Sequence, residues 1–77
     1  MSMFERGDYV KVEFKDDTGA ESEWMWVQVD RADDSSRILF GRLDNEPAVM
    51  TDLRLGMELA VSYDNIREHM KAGSFNQ

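Results

Sequence analysis

Apolar and polar residues alternate along several short segments of this chain, and a period of two is typical of strands with one buried face. In residues 9–14, Val10, Val12 and Phe14 fall on one face. Residues 57–63 show the same pattern, and residues 24–29 and 37–43 are rich in the aromatic and β-branched residues typical of strands. These segments predict four strands of one mainly antiparallel sheet. The residues expected to be buried in it include Val10, Val12, Val27, Val29, Leu59 and Val61.

Turn-forming residues separate these segments. Residues 16–20 contain two aspartates and Gly19, which can take positive φ, so the first two strands should form a hairpin. Residues 31–36 are polar and predict a second turn. Residues 48–50, after the only proline, are compatible with a short fifth strand.

The period changes near the end of the chain. Ile66 and Met70 are four residues apart and would share one face of a helix. Asp64 or Asn65 can cap its start, and Gly73 is well placed to end it. We therefore expect a short C-terminal helix that packs on the sheet.

The pattern predicts an α+β, mainly β fold: a small twisted antiparallel sheet or partly open barrel of four to five strands with a short C-terminal helix. A chain of 77 residues without repeats or linkers should form one domain, residues 1–77. Residues 1–7 and 74–77 should be flexible.

Net charge narrows the classes of partner. The chain has sixteen acidic and nine basic residues, for a net charge of −7, and the basic residues are dispersed. Because nucleic-acid binding depends on lysine and arginine at phosphates, we expect no nucleic-acid partner. The acidic surface either serves solubility or docks onto a protein with a basic surface. The sequence leaves the oligomeric state open.

Targeting signals and membrane spans are not evident. The first residues lack the basic start and apolar run of a signal peptide, and no apolar stretch approaches the roughly 20 residues that a membrane helix needs. There is no cysteine. We therefore expect a soluble cytoplasmic protein with no membrane partner.

The residues also argue against catalysis and metal binding. His69 is the only histidine, so one chain cannot supply a histidine pair, and we place it in a polar or half-buried position on the terminal helix. Asp30, Asp33 and Asp34 lack the ligand alternation and central glycine of a calcium loop and are typical turn formers. We predict no catalytic residue, metal or cofactor.

Trp24 and Trp26 form a candidate interaction surface. In a strand they share one face, whereas Met25, Val27 and Val29 share the other, which suits the core better. The indoles would then lie on the outer face. We expect the terminal helix to cover them; uncovered, they would form an aromatic patch of the kind that marks a partner or ligand surface.

Asn45, Glu46 and Pro47 form the second candidate. Pro47 restricts Glu46 to extended backbone, and Asn45 can hydrogen-bond to nearby backbone. The segment is either a rigid corner or a recognition loop that presents Asn45 and Glu46 together. We favour the corner.

The order of these segments resembles an uncharacterised family of small bacterial domains. The resemblance rests on Trp26–Val29, on Gly41-x-Leu43-x-Asn45-Glu46-Pro47, and on the glycine-led strand from Gly56 to Val61. In that family an aspartate-tryptophan pair follows the isoleucine that corresponds to Ile66, whereas this chain has Arg67-Glu68-His69 there. The chain is therefore similar to a divergent or shortened member. The resemblance implies a small α+β domain and no known activity.

Two functions remain open. The leading hypothesis is a small acidic non-enzymatic interaction module, an adaptor or inhibitor-like protein that binds another protein. The alternative is a small-ligand binder or a carboxylate-based hydrolase that uses Glu46 with Asn45. A desolvated Glu46 in a pocket would favour the alternative.

Overall fold

The computed structural model describes residues 3–15, 18–48 and 53–73, which form one antiparallel sheet. Its strands are β1 (Tyr9–Lys15), β2 (Ser22–Asp33), β3 (Ile38–Leu43), β4 (Glu58–Ser62) and β5 (Ile66–Met70). The order across the sheet is β4-β3-β2-β1-β5. The four strands predicted from the sequence are therefore confirmed, and the mainly β character with them.

One face of the sheet carries the core. Val10, Val12, Val27, Val29 and Val61 are buried as predicted, whereas Leu59 is half-buried and packs against the core from the edge strand β4. The other buried apolar residues in the described part of the chain are Phe4, Met25, Leu39 and Leu43. Phe4 belongs to the segment 1–7 that was expected to be flexible. Burial of the residues that alternate with polar ones fixes which way each strand faces.

The predicted C-terminal helix is wrong. A single 3-10 turn spans Tyr63–Asn65, and the chain then continues as β5, which pairs antiparallel with β1. The Ser62 hydroxyl, not Asp64 or Asn65, caps the turn by accepting from the Asp64 amide. A bulge beside Val12 places both Ile66 and His69 opposite core-facing valines of β1, whereas Met70 pairs with Tyr9 on the other face. Ile66 and Met70 therefore do not share a face, as they would in a helix.

The β2–β3 connection is shorter than predicted, since β2 continues to Asp33. Asp33 Oδ1 accepts from the Ser35 amide at 3.1 Å and from the Ser35 hydroxyl at 2.7 Å, which confirms its turn-forming role. Hydrogen bonds from the Ser35 and Ser36 hydroxyls lower the pKa of Asp33. Arg37 closes the turn at a φ of 57°.

The sheet is strongly curled. β4 and β5 lie at opposite edges, yet only the three residues of the 3-10 turn separate them in the chain. The two edges must therefore approach each other at the 3-10 turn. Within the described ranges, no helix is long and apolar enough to cross a membrane. The short strand considered at residues 48–50 lies largely outside the described residues.

Candidate interaction surface

The outer face of β2, β1 and β5 carries a surface that we call the tryptophan surface. It consists of Trp24, Trp26, Lys11, Glu13, Arg67 and Glu68. Strand pairing sets Trp26 opposite Lys11 and Trp24 opposite Glu13. The alternation that buries Met25, Val27 and Val29 thus directs both indoles outward, as expected from the sequence.

The expected helical cover over the indoles is wrong, because β5 extends the sheet instead of lying across it. Trp24 is 46% exposed, and Trp26 is half-buried. Trp24 is one of three large apolar residues that are exposed in the described part of the chain; the others are Met3 and Leu55. An exposed tryptophan on a regular strand is unusual, since indoles are highly buried on average.

Two ion pairs flank the indoles. Arg67 Nη2 lies 3.4 Å from Glu13 Oε1, and Lys11 Nζ lies 3.6 Å from Glu68 Oε2. The same cations lie over the rings, each 5.9 Å from an indole: Arg67 over Trp24 and Lys11 over Trp26. Exposed pairs of this type contribute about 0–1 kcal/mol each, so a partner can displace them at little cost.

The Asn45–Pro47 segment lies directly beside β2. The Asn45 side-chain oxygen accepts from the Trp26 backbone amide, and the Asp44 amide donates to the Trp26 carbonyl at 2.8 Å. Farther along, the Ala48 amide donates to Glu23 Oε2 at 2.8 Å. The segment therefore continues the line of β3, with the Asn45 side chain in place of a backbone acceptor.

Close packing precedes this corner. At Gly41 a Cβ atom would lie 2.2 Å from the Gln28 carbonyl oxygen, so a side chain cannot fit without moving backbone. The close approach adjoins the bulge in β2 between Val29 and Arg31. Gly41 thus lets β3 reach the corner with its register intact.

The corner also carries free negative charge. The side chains of Asp44 and Glu46 are exposed, and within the described residues no lysine or arginine forms an ion pair with either. Hence the four residues predicted as an interaction surface lie near one another. The Asn45 side chain is bonded to the backbone amide of Trp26. Trp24 is two residues before Trp26 on the same face, and Glu46 follows Asn45 in the chain. Glu46 faces solvent.

A second polar cluster was missed by the sequence reasoning. Asp8 is 1% exposed and is the only buried charged residue of the described chain. Its carboxylate accepts four hydrogen bonds, from the Glu5 amide at 3.0 Å, His69 Nε2 at 2.7 Å, the Ala72 amide at 2.9 Å and Lys71 Nζ at 3.3 Å. We call these residues the Asp8 clasp, because they tie the start of the chain to its last strand.

The clasp is electrostatically satisfied. Burial by itself raises the pKa of the Asp8 carboxyl, but the hydrogen bonds that it accepts outweigh burial and hold the pKa well below its ordinary value. Desolvation lowers the pKa of Lys71, but its contacts with Asp8 and Glu5 together raise the pKa above its ordinary value. Because an ionised carboxylate only accepts, His69 must donate through Nε2.

His69 lies on β5, not on the predicted terminal helix, and it is half-buried as expected. Its ring packs against Phe4, with ring centroids 4.9 Å apart, and Phe4 in turn meets Tyr63 edge-on at 4.9 Å. No sequence motif distinguishes Asp8 from the other fifteen acidic residues. Its position between Gly7, with a φ of 91°, and the first strand is the only local signal.

The described residues contain no group of three or more histidine, aspartate or glutamate side chains that could hold a metal ion. The three aspartates near the second turn have separate contacts. Asp30 lies 3.4 Å from Arg42, Asp33 shapes the turn, and Asp34 accepts from the Tyr63 hydroxyl at 2.6 Å.

Comparison with known proteins gives a family and no activity. No curated protein and no solved structure matches the chain. One family model matches residues 4–75, which include all five strands, the corner and both members of the Asp8–His69 pair. This chain therefore belongs to the family described as an uncharacterised protein conserved in bacteria (DUF2314).

Proposed function

We propose that this protein is a non-enzymatic interaction module of the cytoplasm, and that its tryptophan surface binds a basic segment of another protein. The observation that carries the proposal is the exposure of Trp24 beside Trp26 on a regular strand. Tryptophan is enriched among the residues that dominate protein interfaces, because it buries a large area with little loss of rotamer freedom.

The charge around the indoles supports a basic partner. Asp44 and Glu46 are exposed beside β2, and the chain has a net charge of −7. A lysine or arginine of the partner can pair with either carboxylate and lie over an indole, as Arg67 and Lys11 do within the chain. Long-range attraction would also speed the encounter.

The alternative, a hydrolase or small-ligand site at Glu46, has less support. Its Glu46 carboxylate is exposed, whereas a general acid needs a desolvated environment to hold a proton near neutral pH. The Asn45 side-chain oxygen is already occupied by the Trp26 amide. The corner therefore supports the tryptophan surface more than it forms a site of its own.

The two tryptophans make the test direct. They are the only ones in the chain, so indole fluorescence reports on this surface alone. We suggest capture from a bacterial lysate on the immobilised protein, followed by fluorescence titration of the soluble protein with each captured candidate. A true partner should shift or quench indole emission, and its binding should weaken as salt rises.

Matched variants separate specific binding from adhesion. Trp24→Ser should abolish capture, whereas Leu55→Ser, which removes another exposed apolar side chain at 61% exposure, should retain it. Likewise Asp44→Asn with Glu46→Gln should weaken binding, whereas Asp64→Asn in the 3-10 turn should not. A partner that binds Trp24→Ser as well as the wild type, or that leaves indole emission unchanged, would contradict the proposal.

A further inference from the structure

Among the residues that the structure describes, no strand pairs with the outer side of the edge strand β4. Leu43 donates to the Met57 carbonyl at 2.9 Å, and Tyr63 donates to the Arg37 carbonyl at 3.0 Å. In the continuous antiparallel register between these bonds, odd-numbered residues of β4 bond to β3. The backbone N–H and C=O groups of the alternate residues Glu58 and Ala60, and the N–H group of Ser62, consequently point away from the sheet. The Ser62 carbonyl accepts the first bond of the 3-10 turn that it caps.

The other edge strand, β5, has features that hinder pairing with another chain, and β4 lacks them. β5 is displaced by a bulge against β1, and its Arg67 and Glu68 side chains are held in ion pairs. Proteins commonly use bulges, lysines and prolines to prevent an edge from pairing with another chain. β4 has none of these, and its register with β3 shows no irregularity.

A cavity adjoins the open edge on the outer face. It has a volume of about 400 Å³ and is lined by Phe40, Ala60, Glu58 and the Asp30–Arg31 bulge of β2. Ala60 is exposed and small, so it leaves access from the edge, and Arg31 lies over the Phe40 ring at 4.1 Å. The cavity thus offers an apolar wall beside carboxylates.

We propose that β4 is a strand-addition site for an extended segment of a partner protein. The segment pairs antiparallel with Glu58, Ala60 and Ser62, places an apolar side chain in the cavity opposite Ala60, and places a basic side chain opposite Glu58. Backbone hydrogen bonds provide affinity in this mode, and alternate side chains provide specificity. The site is separate from the tryptophan surface and does not depend on it.

Charge favours such a segment over a second copy of this chain. Glu58 is exposed, and no ion pair reaches it within the residues that the structure describes, whereas nearby Asp30 is paired with Arg42. Two copies would each bring a net charge of −7 to the contact. An incoming lysine or arginine instead meets an available carboxylate.

The test uses a blocked peptide of sequence threonine-serine-leucine-serine-lysine, whose third residue should lie opposite Ala60. Amide NMR titration gives its Kd and shows which residues respond. At ten times Kd, exchange of the Glu58, Ala60 and Ser62 amides should slow about tenfold, because only the unbound fraction exchanges. The Leu59 and Val61 amides, already bonded to β3, should change much less.

A peptide methylated on the leucine nitrogen keeps every side chain but removes the central hydrogen bond, and should not protect these amides. Glu58→Lys should weaken the lysine peptide about fivefold and strengthen one that ends in glutamate. The proposal is overturned if millimolar peptide leaves the three amides unchanged, or if the methylated peptide protects them equally. Protection that rises with protein concentration alone would also overturn it, in favour of self-pairing.

Discussion

Carboxylates meet cations both in the Asp8 clasp and on the tryptophan surface, and the two regions differ in their exposure to water. Asp8 is 1% exposed and accepts four hydrogen bonds, whereas Arg67 and Glu13, whose side chains are 42% and 18% exposed, form a single contact at 3.4 Å. Removing Asp8 leaves the Glu5 and Ala72 amides and the partly buried His69 ring without their acceptor, whereas solvent replaces a lost partner at the surface. The clasp therefore stabilises the fold, and the tryptophan surface remains available for binding.

Asp8→Ala should give the largest effect. It leaves two backbone amides and two cationic or polar side chains without their acceptor, so we expect a loss of about 3–5 kcal/mol in the free energy of unfolding. Urea denaturation measures it. Asp64→Ala, which breaks the exposed pair with Arg37 at 3.0 Å, is the control and should cost at most about 1 kcal/mol. Similar losses in the two variants would erase the distinction between the regions.

The pH dependence of stability sharpens the same contrast. Because the folded pKa of Asp8 is depressed below its ordinary value of 3.8, the carboxylate stabilises the fold at neutral pH. That contribution is present above the unfolded pKa and is lost as pH falls below about 4. Thermal melts between pH 7 and pH 2 should show this loss in the wild type and a shallower one in Asp8→Asn. An equally steep decline in the variant would place the acid sensitivity elsewhere.

Substitution of Asn45 in the Asn45–Pro47 corner should cost less stability than loss of Asp8 and more than loss of a surface ion pair. Asn45→Ala removes the acceptor of the Trp26 amide and should cost on the order of 1 kcal/mol, the net value of one hydrogen bond. Glu46→Ala removes an exposed side chain and should change stability by less than about 0.5 kcal/mol. Chemical denaturation of both variants checks this. If Asn45→Ala keeps or gains stability, the corner is a recognition loop first and a structural element second.

The smallest effect should come from the tryptophan surface itself. A double-mutant cycle with Glu13→Gln and Arg67→Gln should give a coupling energy below about 1 kcal/mol, since the pair is exposed and salt can screen it. Measuring the cycle at low and high salt separates the Coulomb contribution from packing on Trp24. A coupling of several kcal/mol would mean that this pair is structural.

Local patterns were enough to predict β1 to β4. Alternation gave the facing of side chains in β1, β2 and β4, because a period of two links sequence directly to the faces of a sheet, whereas β3 was predicted only from its β-branched and aromatic residues. Local patterns failed at β5, where a bulge against β1 brings Ile66 and His69 to the core side. The pairing partner of β5 is more than fifty residues away in the chain, so no local pattern contains it. The wrong helix then led to a wrong expectation of cover over Trp24.

The candidate surface was predictable in part for the same reason. The orientation of Trp24 and Trp26 follows from their own strand, and the side-chain chemistry of Asn45 suggested a bond to backbone. The role of Asp8 was not predictable, because its donors come from residues 5, 69, 71 and 72, which only the pairing of β1 with β5 brings together.

The bond between Asp8 and the Ala72 amide spans 64 positions of the chain and has a kinetic consequence. The β1–β5 pairing and the clasp can form only after the chain has been synthesised through residue 72. Until then, β1 has an unpaired side, and a newly made chain passes through a state with an exposed strand edge. Closure of so long a loop also slows the search, and sheets dominated by distant pairings fold in milliseconds to seconds. The arrangement that joins the two ends of this small domain is therefore also the step that sets how long its nascent form remains open.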